Sequence, residues 1–240
     1  MMKIAKMIRI KSRSITLIAL GLVLIASCKE EKDKPEEVKS KPFNNVLILG
    51  NSITHHAPAE DVGWLGDWGM AASAKEKDFV HLLTAKFKSE DPAVIVNHKN
   101  IGDFETKYWE YDLSALDNFN ALKPDLVILR IAENVDINMM EQHEFQKHYT
   151  ALINYFKASN PKVKVMCVAG FWKNQTTENA IKKCSTETNS LYVELSSLDN
   201  ISYVAWDSFT DFGVRTHPSD KGMSAIANII WANVLIIGKE

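Results

Sequence analysis

Residues 46–54 read VLILGNSIT, and the change from apolar to small polar residues within this stretch decides the fold prediction. A run that is apolar at every position is typical of a strand buried on both faces of a parallel sheet. Gly50 ends the run, so Ser52 is expected on an exposed bend with backbone N–H groups nearby. A serine in that place is either a nucleophile, if a base reaches it, or a simple helix cap.

Four further runs have the same apolar, β-branched character and follow at intervals of roughly 30 to 50 residues. They are Val94–Val96, Leu126–Ile131, Val163–Val168 and Ile201–Ala205. Helical patterns lie between the runs, and such alternation is typical of α/β proteins. The sequence therefore predicts one domain over residues 44–240, a doubly wound (flavodoxin-like) five-stranded parallel sheet with helices on both faces.

Two helical patterns lie between predicted strands, and a third follows the last one. Apolar spacing marks the first, with contributions from Phe79, Leu82, Leu83, Lys86 and Phe87. In the second, Asn138 is followed three residues later by Glu141, which predicts a capped helix start. In the third, Ser219 is the expected N-cap, and an apolar stripe from Met223 to Leu235 follows it. We expect this stripe to pack in the core rather than to span a membrane.

Polar residues follow the predicted strands at the edge where such sheets bind ligands. Asn134 comes after the third run and offers a side-chain amide to a developing negative charge. Gly102 comes after the second run, where a glycine lets a backbone N–H approach a ligand closely. His217 precedes Pro218 and the last helix, so its imidazole lies on a constrained loop and suits the role of base for a serine hydroxyl.

Composition and motif searches exclude several classes of protein. The 240 residues are 46% apolar, 9% aromatic and 24% charged, unlike collagen-like, low-complexity or wholly disordered chains. The 28 basic and 30 acidic side chains give a net charge of −2, which argues against a nucleic-acid binder. No phosphate-binding glycine loop occurs, and no HExxH or CxxC spacing supports a metal site. Three cysteines are too few for a disulfide scaffold, and we expect Cys167 and Cys184 to be free thiols.

Residues 1–27 have the pattern of a lipoprotein signal peptide. Residues 1–14 contain five basic side chains and no acid, and an apolar run from Ile15 to Ala26 follows. This run is shorter than the roughly 20 residues that span a bilayer. Residues 24–28 (LIASC) resemble a bacterial lipobox, which implies that Cys28 is lipidated and becomes the N-terminus. The alternative is an uncleaved anchor, or an ordinary signal with a chance cysteine.

Residues 28–43 are predicted to be the lipidated cysteine and a charged flexible tether. Ten of the fourteen residues 29–42 are charged, five of each sign, so they bury too little apolar surface to fold. Lys29 and the two glutamates after it resemble the surface-export signal of lipoproteins in Bacteroidota-type bacteria. Loss of the five basic residues in the signal changes the net charge from −2 to −7, which favours neutral sugars over anionic polymers as partners.

Together these motifs resemble those of the SGNH (GDSL-like) hydrolase family, in its order and at its approximate spacing over essentially the whole domain. Residues 50–53 match the nucleophile block, with Asn51 where many members carry aspartate. Gly102 matches the glycine block, Asn134 the asparagine block, and His217 the histidine block that ends the domain.

The resemblance implies a serine esterase. Ser52 would attack an ester carbonyl, while His217 takes its proton and later protonates the leaving alcohol. The backbone N–H groups of Ser52 and Gly102 and the side-chain amide of Asn134 would hold the oxyanion. Water would then hydrolyse the acyl-enzyme on Ser52. The family chemistry implies neither a metal nor an organic cofactor.

Two positions depart from the family pattern. The family usually has aspartate three residues before the histidine, but Val214 occupies that position here. Asp211 is the nearest acid, and Asp207 lies further back. Either a longer loop returns Asp211 to the imidazole, or a backbone carbonyl orients the ring instead. The glycine block is only a partial match, and Asn100 is the alternative donor to Gly102.

Aromatic side chains near the strand ends bear on the substrate. Trp64 and Trp68 lie among glycines and either stack on sugar rings or pack over the sheet edge, and Trp172 faces the same choice. Glu133 lies beside Asn134 and either shapes the pocket or pairs with Arg130.

We therefore expect a lipid-anchored esterase outside the cytoplasm, at the outer membrane or surface of a Gram-negative bacterium. It would remove small acyl groups such as acetyl from carbohydrate. Two alternatives are a lysophospholipase or thioesterase of the same family, and a sugar-binding lipoprotein weakened catalytically by the missing carboxylate. The expected partners are an acylated sugar and, through Cys28, a membrane, but no nucleic acid. The sequence indicates no oligomeric state.

Overall fold

A computed structural model of the chain describes residues 43–238, so the predicted signal, Cys28 and nearly all of the tether lie outside the described residues. Five parallel strands form one sheet in the order β2-β1-β3-β4-β5. Their bounds are β1 Asn45–Gly50, β2 Ile95–Asn100, β3 Leu126–Arg130, β4 Lys164–Val168 and β5 Leu191–Val193. This is the doubly wound, flavodoxin-like order, and the predicted fold class is confirmed.

Helices cover both faces of the sheet. They are α1 Phe79–Glu90, α2 Gly102–Lys107, α3 Asp117–Ala121, α4 Phe145–Ser159, α5 Gln175–Glu187, α6 Phe212–Arg215 and α7 Asp220–Ile237. One core packs side chains of α1 and α7 against one face, with Phe79, Leu83 and Ile230 fully buried. The other core packs α2, α4 and α5 against the opposite face, around Phe104 and Tyr149.

The second half of the sheet differs from the prediction. Ile201–Ala205 is not a strand: residues Ile201–Tyr203 form a 3-10 helix, which Asn200 begins by accepting a hydrogen bond from the N–H of Ser202 at 2.8 Å. Ile201 is 62% exposed. The fifth strand is instead Leu191–Val193, directly after α5. Three residues are too short a run to stand out from helical apolar spacing, so the longer apolar run downstream was the stronger signal.

Of the two predicted helix starts, one is right and one is wrong. Ser219 is the N-cap of α7 and accepts from the N–H of Gly222, as predicted. Asn138 does not start α4; its amide and its backbone N–H both donate to Asp136 Oδ1. The helix begins seven residues later at Phe145, after Glu144 with a φ of 51°. A short polar side chain that bonds to a local neighbour stabilises a turn instead of a helix start.

The two described cysteines are free and buried, which confirms the prediction for them. Burial raises the pKa of Cys167 to about 12, so its thiol is unreactive at neutral pH. Within residues 43–238, no helix is both long and apolar enough to cross a bilayer. The apolar stripe of α7 packs into the core, as expected.

Candidate active site

The structure brings Ser52 and His217 together, although 165 positions separate them in the sequence. Ser52 Oγ and His217 Nε2 lie 2.7 Å apart, which is hydrogen-bond distance. Ser52 follows the carboxyl end of β1, the central strand of the first half of the sheet. His217 occupies the loop between α6 and α7. The predicted nucleophile and the predicted base therefore form a hydrogen-bonded pair.

The bend that carries Ser52 is closed by its neighbours in the chain. The N–H groups of Thr54 and His55 donate to the carbonyl of Asn51 at 2.9 and 3.1 Å. A Cβ on Gly50 would lie 1.8 Å from Thr54 Oγ1, so only glycine allows the strand to turn this sharply. Ser52 is thus held on a tight turn and not on a helix cap.

The loop around His217 sets the tautomer of the imidazole. His217 Nδ1 lies 2.7 Å from the carbonyl oxygen of Gly213, which accepts a proton and cannot donate one. The Nδ1–H tautomer is therefore favoured, and Nε2 is left as the acceptor for the Ser52 hydroxyl. The N–H of His217 donates to Val214 at 3.0 Å, and its carbonyl accepts from Ala205 at 2.9 Å, so the backbone is held on both sides.

Asp211 does not hold the imidazole. Its Oδ1 accepts a hydrogen bond from the N–H of Val214 at 2.9 Å and so caps α6. No hydrogen bond joins it to His217 among the described residues. The single turn of α6 instead directs the carbonyl of Gly213 at the ring. The expected contact from Asp211 is therefore wrong, and the alternative, a backbone carbonyl, is the one that forms.

Three donors were expected around the oxyanion position, and they differ in availability. No described residue accepts a hydrogen bond from the Ser52 N–H. Asn134 uses one amide hydrogen on Glu105 Oε2 at 2.5 Å and retains the other. The N–H of Gly102 donates to Asn100 Oδ1 at 2.7 Å, so the expectation of a free donor there is wrong. Asn100 itself donates to the carbonyl of His55 at 2.7 Å.

These residues line a cavity of about 390 Å³ beside Ser52. Asn134 and Gly102 contribute to its wall, together with Asp103 and Thr106. Ser52 and Asn134 therefore present two donors toward the same space. Two such donors suit the stabilisation of a negative oxygen.

A buried acidic residue, Glu105 in α2, supports this arrangement, and sequence reasoning missed it. Glu105 is 1% exposed. Its Oε1 accepts from Asn51 Nδ2 and from the N–H of Glu133, both at 3.1 Å, while Oε2 accepts from Asn134. An acid on a six-residue helix directly after the glycine block was the available signal. Glu105 thus orients the Asn134 amide through a hydrogen bond from the protein interior.

Glu133 is also part of the protein interior. Its Oε2 accepts from Asn51 Nδ2 at 2.7 Å, its Oε1 accepts from the N–H of Phe171 at 2.7 Å, and Arg130 donates to the same oxygen. Only 10% of its side chain is exposed. The expectation that Glu133 binds substrate is therefore wrong, because its carboxylate is used within the protein. It pairs with Arg130 and, in addition, accepts from Asn51 on the turn that carries Ser52.

Asn51 occupies the centre of this buried cluster. Its Oδ1 accepts from Arg130 Nη1 and from the N–H of Ile53, both at 3.1 Å, while its amide donates to Glu105 and Glu133. An aspartate here would place a third carboxylate beside one arginine. The departure from the family pattern at this position thus has a physical cause, since only an amide donates to both acids.

Burial shifts the protonation of two groups at the site. Burial, followed by the nearby carboxylate of Glu133, raises the pKa of Glu105 to about 7, against the hydrogen bonds of Asn134 and Asn51. Burial lowers the pKa of His217 from its usual value, and the contact with Gly213 opposes this only in part. His217 is therefore neutral at pH 7 and is able to accept a proton.

The tryptophans expected to stack on sugar occupy different environments. Trp64 is 2% exposed and packs edge-on against Trp68 at 5.6 Å. Its Nε1 donates to the carbonyl of His56, while Trp68 Nε1 donates to that of Ala72. The loop closes on itself, so the expectation is wrong for Trp64, and Trp68 is half-buried. Trp172, in contrast, is 37% exposed.

No family model and no curated protein matches the sequence, but solved structures resemble the fold. One is a two-domain esterase active on acetylated mannans, with a TM-score of 0.57 and 18% identity over 84% of this chain and 51% of that one. The chain thus spans about half the length of that esterase. At this identity the likeness establishes the fold.

Two further structures match nearly their whole length. The acetyl xylan esterase AlAXEase has a TM-score of 0.52 and 20% identity, with 79% of this chain and 99% of that one covered. A catalytic mutant of Axe2, an acetylxylan esterase from Geobacillus stearothermophilus, has a TM-score of 0.55 and 18% identity, with 82% and 96% covered. The fold of residues 43–238 is therefore one that esterases use.

The charge cluster around Asn51 makes a prediction about stability. Asn51→Asp should lower the free energy of unfolding at pH 8 by about 3 kcal/mol, because it adds a third buried carboxylate that faces Glu105 and Glu133 with only Arg130 to offset the charge. Adding Glu105→Gln should recover at least half of the loss, because the new amide donates to the new carboxylate. Urea unfolding of the single and double variants measures both effects.

Asn179→Asp is the matched control, because Asn179 is exposed on α5 and should change the free energy by less than about 0.5 kcal/mol. Equal stability of Asn51→Asp and the unsubstituted protein would contradict the cluster's role. So would a double variant that is no more stable than the single one.

Proposed function

We propose that this protein is a serine esterase that removes acetyl groups from carbohydrate. The observation that carries the proposal is the 2.7 Å contact between Ser52 Oγ and His217 Nε2 at the carboxyl end of β1. The motifs resemble those of the SGNH family, and the similar folds include esterases acting on acetylated mannan and xylan. The net charge of −7 on the chain without its signal also favours a neutral sugar over an anionic polymer.

The proposed reaction has two steps. In the first, Ser52 Oγ attacks the ester carbonyl while its proton passes to His217 Nε2, and the oxyanion binds the Ser52 N–H and the Asn134 amide. His217 then gives the proton to the leaving sugar oxygen, which leaves an acetyl group on Ser52. In the second step, water attacks the acetyl carbonyl while its proton passes to His217 Nε2. The bond from the acetyl carbon to Ser52 Oγ then breaks, His217 returns the proton to Oγ, and acetate leaves.

The Ser–His pair works here with a backbone carbonyl in place of a carboxylate. The Gly213 carbonyl fixes the tautomer and the direction of the ring, which are two of the functions of a triad acid. It carries no full charge, so it stabilises the imidazolium less than a carboxylate would. The absence of a carboxylate at His217 Nδ1 is the observation that favours the second candidate function, a sugar-binding protein with weak catalysis.

We also propose that the protein is lipidated at Cys28 and anchored outside the cytoplasm. The pattern of residues 1–28 supports this, namely a basic start, a short apolar run and small residues before a cysteine. Such an anchor places the esterase where extracellular polysaccharide is accessible.

A fluorophosphonate probe and p-nitrophenyl acetate test the chemistry. Residues 44–240 should be labelled and active, whereas Ser52→Ala should abolish labelling and lower kcat at least about 1000-fold, because the nucleophile is lost. Asp211→Asn should keep kcat within about threefold, because Asp211 only caps α6. Labelling that persists in Ser52→Ala would refute the serine mechanism, and binding of sugar without labelling would favour the second candidate.

The pH profile tests the base. Because burial lowers the pKa of His217 below the usual 6.5, kcat/KM should rise with pH along a limb whose midpoint lies below 6.5. Glu105, with a pKa of about 7, is the other buried group at the site that titrates near this range. If His217 is the base, Glu105→Gln should therefore leave the midpoint unchanged. A midpoint near 7 that disappears in Glu105→Gln would assign the limb to Glu105 and contradict the prediction.

Labelling with radioactive palmitate tests the anchor. Expression of the full chain in a Gram-negative host should give a labelled, membrane-associated protein, and Cys28→Ser should remove the label, because the acyl acceptor is lost. Cys167→Ser is the matched control, since that thiol is buried in the domain. Incorporation that survives Cys28→Ser would contradict the lipobox interpretation.

A further inference from the structure

Three exposed aromatic side chains lie close to the His217 loop. They are Trp172, Trp206 and Phe212, which are 37%, 38% and 64% exposed. Trp206 and Phe212 pack edge-on with ring centroids 6.0 Å apart. We call these three residues the aromatic rim. Large apolar groups that are exposed together are typical of binding surfaces.

Each member of the aromatic rim is tied to the backbone next to His217. Trp172 Nε1 donates to the carbonyl of Thr216, the preceding residue, at 3.1 Å. Trp206 follows Ala205, whose N–H donates to the carbonyl of His217 at 2.9 Å. Phe212 begins α6, the turn whose Gly213 carbonyl contacts the imidazole. Trp172 is therefore hydrogen-bonded to the His217 loop, and Trp206 and Phe212 lie next in the sequence to residues that contact His217.

Arg215 adds polar donors to the same surface. Its guanidinium carbon lies 4.0 Å from the Trp206 ring centroid and 5.6 Å from that of Phe212, so the two rings hold it in place. Over residues 43–238, no protein group accepts a hydrogen bond from its guanidinium, and its buried Nε is without a partner. An arginine fixed by two rings and left without acceptors is suited to bind hydroxyl groups of a ligand.

The direction of the reaction decides which part of the substrate meets this surface. The carbonyl oxygen must face Asn134 and the Ser52 N–H, which lie by the cavity on the Gly102 side. The leaving oxygen must instead reach His217 Nε2, because that atom returns the proton to it. The alcohol part of the ester thus extends over the His217 loop, where the rim lies.

We propose that the aromatic rim and Arg215 bind the sugar ring that carries the ester, so that these residues select acetylated polysaccharide over small esters. This inference rests on the proposed esterase function. The apolar face of a pyranose packs on an aromatic ring, and its hydroxyl groups accept hydrogen bonds from a guanidinium. The same surface supplies both interactions.

Kinetics on two substrates test the proposal. Trp206→Ala and Phe212→Ala should each lower kcat/KM for acetylated xylan or mannan oligosaccharides about tenfold, chiefly through KM, because binding of the sugar weakens. For p-nitrophenyl acetate, which has no sugar, the change should stay within about twofold. Ile236→Ala is the control, because Ile236 is also a large exposed apolar residue, at 59% exposure. Its neighbour Ile237 lies near the first residues of β4 and β5, at the end of the strands opposite to Ser52.

Three outcomes would contradict the binding of sugar by the aromatic rim. Equal losses on both substrates would mean that the substitutions disturb His217, and no loss would mean that sugar binds elsewhere. A change of oligomeric state in Trp206→Ala would identify the surface as an interface between copies. If the unsubstituted protein lacks esterase activity altogether, NMR titration with unacetylated oligosaccharide still tests the rim, since Trp206→Ala should weaken that binding as well.

Discussion

The side-chain amide of Asn51 is the interaction on which the site depends. It joins the end of β1 to α2 through Glu105, and to the end of β3 and the loop after it through Arg130 and Glu133. Two carboxylates and one guanidinium are costly to bury unless most of their polar atoms are hydrogen-bonded, and here only Arg130 Nε, among the atoms of these three groups, is buried without a partner. The Asn51 amide serves both kinds of charged group, because its Nδ2 donates to the two carboxylates and its Oδ1 accepts from the guanidinium. The turn that carries Ser52 and the Asn134 amide consequently take their orientation from one cluster.

The sheet order places this cluster and Ser52 at one edge of the sheet. β1 lies between β2 and β3, so the residues that follow these three strands meet at one edge. Ser52 lines a cavity together with Asn134, and its Oγ contacts His217. Exposed aromatic rings lie close to the His217 loop, where Trp172 Nε1 donates to the carbonyl of Thr216.

The loop before α7 shows why local patterns recover part of a site. His217 was recognisable because Pro218 and Ser219 mark a constrained helix start. The group that orients its ring was not, because it is the carbonyl of Gly213, and a backbone carbonyl has no signature in a sequence. Asp211 was the more visible candidate, but its carboxylate is used at the start of α6. Short-range spacing thus indicated the loop of His217 correctly but favoured Asp211 over Gly213 as the acceptor for its Nδ1–H.

The sequence by itself determined the α/β fold class, four of the five strands, the N-cap of the last helix, and the residues expected to act as nucleophile and base. It did so because apolar runs, glycines and caps act within a few positions of the chain. Only the tertiary structure decided that Leu191–Val193 completes the sheet, that Glu105 lies behind Asn134, and that Trp64 is buried. Those outcomes depend on contacts between distant segments and on the desolvation of charges, which no local pattern contains.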